Sequence, residues 1–156
     1  MHIVYVTNEL ATENNPSGGL ATFTANMARI FAEKGHQVEI LLVTTKPENH
    51  VFSSNVKLHN VFIEKNDWNE YDYVAHLHYP DNEEQATANR REWIKVRKME
   101  LVRDKIAEIN KIEKIDIIHL CNHGSFSMLF QNEIPYVIRI SGFMNIWRSA
   151  DRKSVV

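Results

Sequence analysis

The chain opens on an apolar run, His2-Ile-Val-Tyr-Val-Thr7, rich in β-branched and aromatic residues. No polar alternation breaks it, which suits a strand buried on both faces, as in a parallel sheet. A polar loop, Asn8 to Gly19, follows and contains Pro16, Ser17 and the pair Gly18-Gly19. Leu20, Phe23, Met27, Ile30 and Phe31 then recur at helical spacing and predict a helix with one apolar stripe. Lys34-Gly35 ends it with a basic last turn and a glycine able to take the left-handed conformation. Val38-Glu-Ile-Leu-Leu-Val43 predicts a second buried strand. Strand–helix–strand units of this kind almost always make a right-handed crossover between parallel strands.

Further along, Val56 to Glu64 predicts a third strand and Tyr73 to His78 another short one. From about Glu83 to Ile112 the pattern turns helical. Trp93, Val96, Met99, Val102, Ile106 and Ile109 fall three or four apart, and the other faces are charged. Asp116-Ile-Ile-His-Leu120 is another strand, Ser125 to Phe130 opens a short helix, and Pro135-Tyr-Val-Ile-Arg-Ile140 is a last strand ending at Ser141-Gly142. No internal repeat, low-complexity tract or linker interrupts this order. The alternation predicts an α/β fold, a three-layer α/β/α sandwich on a mostly parallel, Rossmann-like sheet.

Composition narrows the partners. At 156 residues the chain is one domain by size, and its net charge of -2 gives no general attraction to nucleic acid or anionic lipid. The lone Cys121 has no partner for an internal disulfide, so a reducing, cytoplasmic setting is expected. Neither a secretory leader nor an apolar run of roughly 20 residues is present, and a soluble protein is the expectation, with peripheral membrane contact left open.

In open parallel sheets ligands bind at the carboxyl ends of the strands. That rule selects three loops: Asn8 to Gly19, Cys121 to Ser125, and Ser141 to Phe143. Gly18-Gly19 stands directly before a helix, where free backbone N–H groups favour a phosphate and the missing Cβ atoms permit close approach. A plain helix-start turn accounts for the pair equally well. The G-x-G-x-x-G fingerprint is absent, and Val43-Thr44-Thr45 lacks the acidic residue that would hold a ribose hydroxyl. A Walker A sequence is missing too, which argues against ATPase or GTPase chemistry.

Three segments together carry a resemblance: Met1-His-Ile-Val-Tyr-Val-Thr-Asn-Glu9, Pro16-Ser-Gly-Gly-Leu-Ala-Thr-Phe23 and Phe31-Ala-Glu-Lys-Gly-His-Gln-Val-Glu-Ile40. Asp116-Ile-Ile-His119 and Arg139-Ile-Ser-Gly142 extend it nearly to the end, while residues from about 50 to 110 carry no motif. The chain resembles the N-terminal domain of family 4 glycosyltransferases, retaining enzymes of two-domain GT-B architecture. The resemblance implies a nucleotide-sugar donor, a sugar or glycoconjugate acceptor, polysaccharide or glycoconjugate assembly, and no metal cofactor. It places Gly18 and Gly19 at the donor diphosphate, and Asn122, His123 and Ser141 along the acceptor or sugar side. One position departs, since members often carry a histidine where this chain has Ser141. The family's C-terminal donor-binding domain is also absent: after Gly142 only Phe143 to Val156 remain, which reads as the start of a helix. The expectation is therefore residues 1–156 as an acceptor-side half, inactive alone.

Other residues have plainer readings. His119 lies within a strand and reads as a core residue. His76 and His78 share a strand face by their period-two spacing, but no H-E-x-x-H motif supports a metal pair. Arg90, Arg91, Lys95, Arg97, Lys98, Arg103 and Lys105 alternate with acids and read as a solvated face, with an anionic acceptor or membrane surface as the second choice. Trp93 reads as core, whereas Trp68 and Trp147 are candidates for stacking on a sugar. Two alternatives accompany the glycosyltransferase: a stand-alone Rossmann-like binding module, and half of a sugar-nucleotide epimerase. The lack of acidic residues near the glycine pair sets the epimerase last.

Overall fold

The structure, a computed structural model, describes residues 1–11, 18–44, 52–121, 126 and 134–140. Strand β1 (His2–Thr7) is buried at every position because it is the centre of the sheet. It pairs in parallel with β2 (Gln37–Val43) on one side and β4 (Ile117–Cys121) on the other. The edges are β3 (Val56–Val61), beside β2, and β5 (Tyr136–Arg139), beside β4. The five strands run in the order β3-β2-β1-β4-β5, all parallel. The chain works outward from β1 to β3 and then restarts across β1, so the topology reverses between β1 and β4.

The period-two alternation of strand side chains divides the apolar residues between the two faces. Val4, Val6, Leu41, Val43, Ile118 and Leu120 form one core with Met99, Val102, Ile106 and Ile109 of α3 (Glu83–Ile112). Ile3, Tyr5, Val38, Ile40 and Leu42 form the other with Ala25 and Ala28 of α1 (Gly19–Glu33). Each fully buried Val, Leu or Ile contributes roughly 1.5–3 kcal/mol of transfer free energy, which is why a doubly buried strand requires a helix layer on either side. The result is the α/β/α sandwich with a Rossmann-like parallel sheet. Helix α1 closes as its sequence indicates: Gly35 takes φ 81°, and the N–H groups of Gly35 and His36 return to the carbonyls of Ala32 and Phe31, each at 3.0 Å.

Three expectations are corrected. Tyr73 to His78 is no strand but the end of a helix, α2 (Lys65–His78), whose Tyr71 and His78 rings lie 6.2 and 6.4 Å from the ring of Trp93. The helical pattern begins at Trp68, and its polar interior hides it when only the last residues are read. The ion pairs Arg90–Asp72 and Arg97–Asp67 join α2 to α3. On α3, Val96 is 46% exposed and Ile94 takes the buried place, because this half of the helix faces α2 and not the sheet. Trp93 accordingly packs on α2 outside both cores. The third strand stops at Val61, short of Glu64. The helix expected at Ser125 to Phe130 lies outside the described residues except for Phe126, which is buried.

Helix α3 has 30 residues and is therefore about 45 Å long, against about 20 Å for a six-residue strand. Its C-terminal end sits at the amino edge of the sheet, where Ile109 and Ile112 line a hollow with Val38 and Val56. The excess length projects past the carboxyl edge, and α2 buries its inner face there through Ala75 and Ala86. The α2–α3 hairpin thus stands beside the rim at which ligands of such sheets bind.

One buried charge interrupts the sheet. Glu39, 4% exposed in the middle of an apolar strand, has Oε2 at 2.5 Å from Nε2 of His59 and 3.7 Å from Nζ of Lys57. Its Oε1 lies 3.2 Å from Nε2 of the buried His2. Burial alone would raise its pKa; the hydrogen bond from His59 and the charges of His59, Lys57 and His2 outweigh it and hold the carboxyl below its ordinary 4.5. Replacing Glu39 by Gln is expected to lower unfolding free energy at neutral pH by about 1.5–3 kcal/mol, the range for a hydrogen bond to a charged group. A folded value below the unfolded one gives stability that is present above pH 4.5 and lost as pH falls through the depressed value. Urea unfolding followed by tryptophan fluorescence should therefore show parent and Glu39→Gln converging in acid; a constant gap down to pH 3 would contradict the arrangement.

Candidate functional site

The topological reversal places the carboxyl ends of β1 and β4 side by side, with the start of α1 above the first and β5 beside the second. Gly18 and Gly19 are both exposed there. Gly18 is the N-cap, in extended backbone with φ -60° and ψ -178°, and its carbonyl accepts from Thr22 N at 3.1 Å. Having no side chain, it leaves the first N–H groups of α1 without a side-chain cap, and the first turn holds no acidic residue. A Cβ added to Gly19 would meet nothing within 4 Å. Packing within the chain therefore does not require glycine at this position; what glycine gives is an uncovered backbone.

A Cβ on Gly18 would lie 3.8 Å from Oε2 of Glu9. A carboxylate thus stands close to the glycine pair, contrary to the sequence expectation that none does. The chain turns back after β1, where Thr7 Oγ1 donates to Glu9 O at 2.8 Å and accepts from Glu9 N at 3.3 Å. That local turn brings residue 9 towards residue 18, a proximity that linear spacing does not reveal.

Below the glycine pair, four side chains from four elements meet on the α1 face. The His119 ring is 5.1 Å from that of Tyr5, its register partner on β1, and 5.9 Å from that of Phe23, one turn into α1. Arg139, the last residue of β5, sets its guanidinium carbon 3.6 Å from the Phe23 ring centroid, in cation–π range. Its Nη1 is buried and has no hydrogen-bond partner among the described residues. Burial pushes the Tyr5 phenol up to about 12. His119 is held below its ordinary value, first by burial and second by the charge of Arg139, so the imidazole is neutral beside a permanent cation. The cluster can hold an anion and can offer a neutral imidazole to a hydroxyl.

His119 is therefore a half-buried residue near the rim and belongs to neither core, contrary to its expectation as a core residue. Arg139 was legible only as one letter of a motif, although a cation closing an apolar strand at its carboxyl end is itself a signal. The remaining expected site residues, Asn122, His123 and Ser141, lie outside the described residues, as does Trp147. Trp68, in α2, is partly buried. His76 and His78 do not share a face, since two residues along a helix point about 200° apart. His76 instead bridges the Asp72 carbonyl at 2.8 Å and Glu83 at 2.9 Å, which raises its pKa. Among the described residues no group of three or more His, Cys, Asp or Glu side chains is arranged to hold a metal, and no helix is long and apolar enough to cross a membrane. The hollow at the amino edge, about 400 Å³, is lined by the already paired Glu39 and lies at the other end of the strands from this cluster.

No protein-family model matches the chain, and no curated protein matches it. The cluster makes its own measurable statement. His119 should titrate below 6.5 by NMR, and Arg139→Gln should raise that value without taking it past 6.5, because burial is the larger cause and remains. A folded-state value below the unfolded one means that His119 lowers stability as pH falls through 6.5. An unchanged titration in Arg139→Gln would separate the two residues.

Proposed function

We propose that this chain is the acceptor-side, N-terminal half of a retaining GT-B glycosyltransferase that transfers a sugar from a nucleotide-sugar donor to a sugar or glycoconjugate acceptor. The observation that carries the reading is the start of α1, where Gly18 and Gly19 leave an uncapped helix end open at the switch point of a parallel sheet. Such an end favours a diphosphate through its free N–H groups and the helix dipole. The five family-like segments quoted from the sequence supply the choice of glycosyl transfer over other uses of this fold, since fold alone does not specify function.

In this reading Gly18 and Gly19 face the donor diphosphate, and Asn122, His123 and Ser141 line the acceptor or sugar side. Catalysis rests on positioning and on electrostatic stabilisation of the departing diphosphate, with no resident metal. The partner of the chain is a C-terminal domain that carries the nucleotide pocket, and the setting is cytoplasmic, with any membrane contact peripheral. The basic residues of α3 support that contact weakly. Arg90, Lys95, Arg97, Arg103 and Lys105 are each paired with a nearby acid.

A second reading, a stand-alone Rossmann-like binding module, draws on Arg139, which gives this half a cation of its own. Calorimetric titration with UDP, GDP and their sugars separates the two. Weak binding that does not discriminate the base is expected for a half whose nucleotide pocket lies in another domain. Tight, base-selective binding by these 156 residues would overturn that half-enzyme reading and favour the module.

A further inference from the structure

We infer that Arg139 is an anion anchor, which takes a phosphate or carboxylate group of the ligand at the carboxyl rim together with the first N–H groups of α1. The inference extends the proposed function by giving this domain its own charged ligand contact. It rests on that reading only for the ligand's identity.

The first ground is the state of the guanidinium. A buried guanidinium N–H without an acceptor is costly, since an unmet buried donor loses about 1–3 kcal/mol, more when charged. Arg139 Nη1 is in that state, and among the described residues no carboxylate pairs with this side chain. Glu39, the buried charge of the sheet, shows the contrast, with His59, Lys57 and His2 around it. An anion supplied by a ligand would complete Arg139 as these groups complete Glu39.

The second ground is rigidity. The cation–π contact with Phe23, 3.6 Å from guanidinium carbon to ring centroid, already orders the side chain, so less side-chain entropy is lost when an anion arrives. Arg139 is itself partly exposed, on an edge strand whose neighbours Val137, Ile138 and Ile140 are open to solvent. The edge strand leaves part of this side chain open to a ligand, while Nη1 itself is buried.

The third ground is the helix start one turn from Phe23. Helix α3 is capped by Asn82, whose Oδ1 accepts from Gln85 N at 3.0 Å, and it carries Glu83 and Glu84 in its first turn. Helix α1 has neither device. The one described carboxylate beside it is exposed Glu9, which reaches the spot without capping it. An acid already approaching this position marks where an external anion would settle, and that anion would compete with Glu9.

The shared chemistry, an oxyanion, has two sources: the diphosphate of the donor or an acidic group on the acceptor. Inorganic pyrophosphate and methyl glucuronide probe them separately. Each is titrated into the intact chain in chloride buffer while NMR follows His119 and the N–H signals of Gly19 and Leu20. Either anion should shift these signals and raise the titration midpoint of His119, because it offsets the charge of Arg139. Arg139→Gln should weaken binding roughly ten- to a hundredfold, the range for a charge-assisted hydrogen bond, and Glu9→Gln should strengthen it. Pyrophosphate binding alone assigns the anchor to the donor side, and glucuronide binding alone assigns it to the acceptor side. Both results support the anchor, even if the chain proves to recognise no nucleotide. If neither anion shifts His119 in the parent protein, or if a folded Arg139→Gln binds as the parent does, the anchor is refuted and the glycosyl-transfer reading is untouched.

Discussion

The constraint on which the rest depends is that β1 is buried on both faces while pairing on both edges. With neighbours β2 and β4 in the sheet, its only remaining exposure is above and below, and its side chains are apolar in both directions. The protein must therefore supply a helix layer on each side, α1 for one face and α3 for the other. Parallel pairing then forces long returns between strands. The restart of the chain across β1 leaves a crevice at the carboxyl ends. Everything that looks functional follows from that geometry, because it brings the start of α1, the end of β4 and the end of β5 to one place.

Two charges of the sheet, buried Glu39 and partly exposed Arg139, illustrate opposite solutions to the same problem. Glu39 lies towards the amino edge and is surrounded by His2, His59 and Lys57 from the neighbouring strands of the sheet. Arg139 lies at the carboxyl edge, held in place by an aromatic ring and left with a donor unmet. An ion whose partners are all internal stabilises the fold it sits in. One with spare valence at a ligand-facing edge is better explained by what it meets from outside.

The α2–α3 hairpin packs mainly on itself and joins the sheet through the second half of α3. Its first half buries alanines and stacks Tyr71, His78 and Trp93 between the two helices, and its charges pair across and along them. These contacts account for helix in so polar a stretch, and they hold the hairpin together beside the rim.

The sequence by itself determined the order and type of most elements. Doubly buried strands announce themselves as unbroken apolar runs, and α1 and α3 by residues three or four apart, because those periods are set by local backbone geometry. Gly35 was readable for the same reason, since left-handed backbone disfavours any residue with a Cβ. What only the tertiary structure decided concerns residues distant in the chain. Tyr73 to His78 reads as a strand by itself, and it is the end of the longer helix α2, which packs its Tyr71 and His78 against Trp93. Glu9 is nine residues from Gly18, and a turn closes the gap. His119 reads as an ordinary strand residue until parallel register sets it beside Tyr5 and α1 lays Phe23 over it. Arg139 lies 116 positions after Phe23, yet its guanidinium rests on that ring. Local periodicity encodes which surface is apolar; it does not encode which two surfaces meet, and the chemistry of this rim lies where they meet.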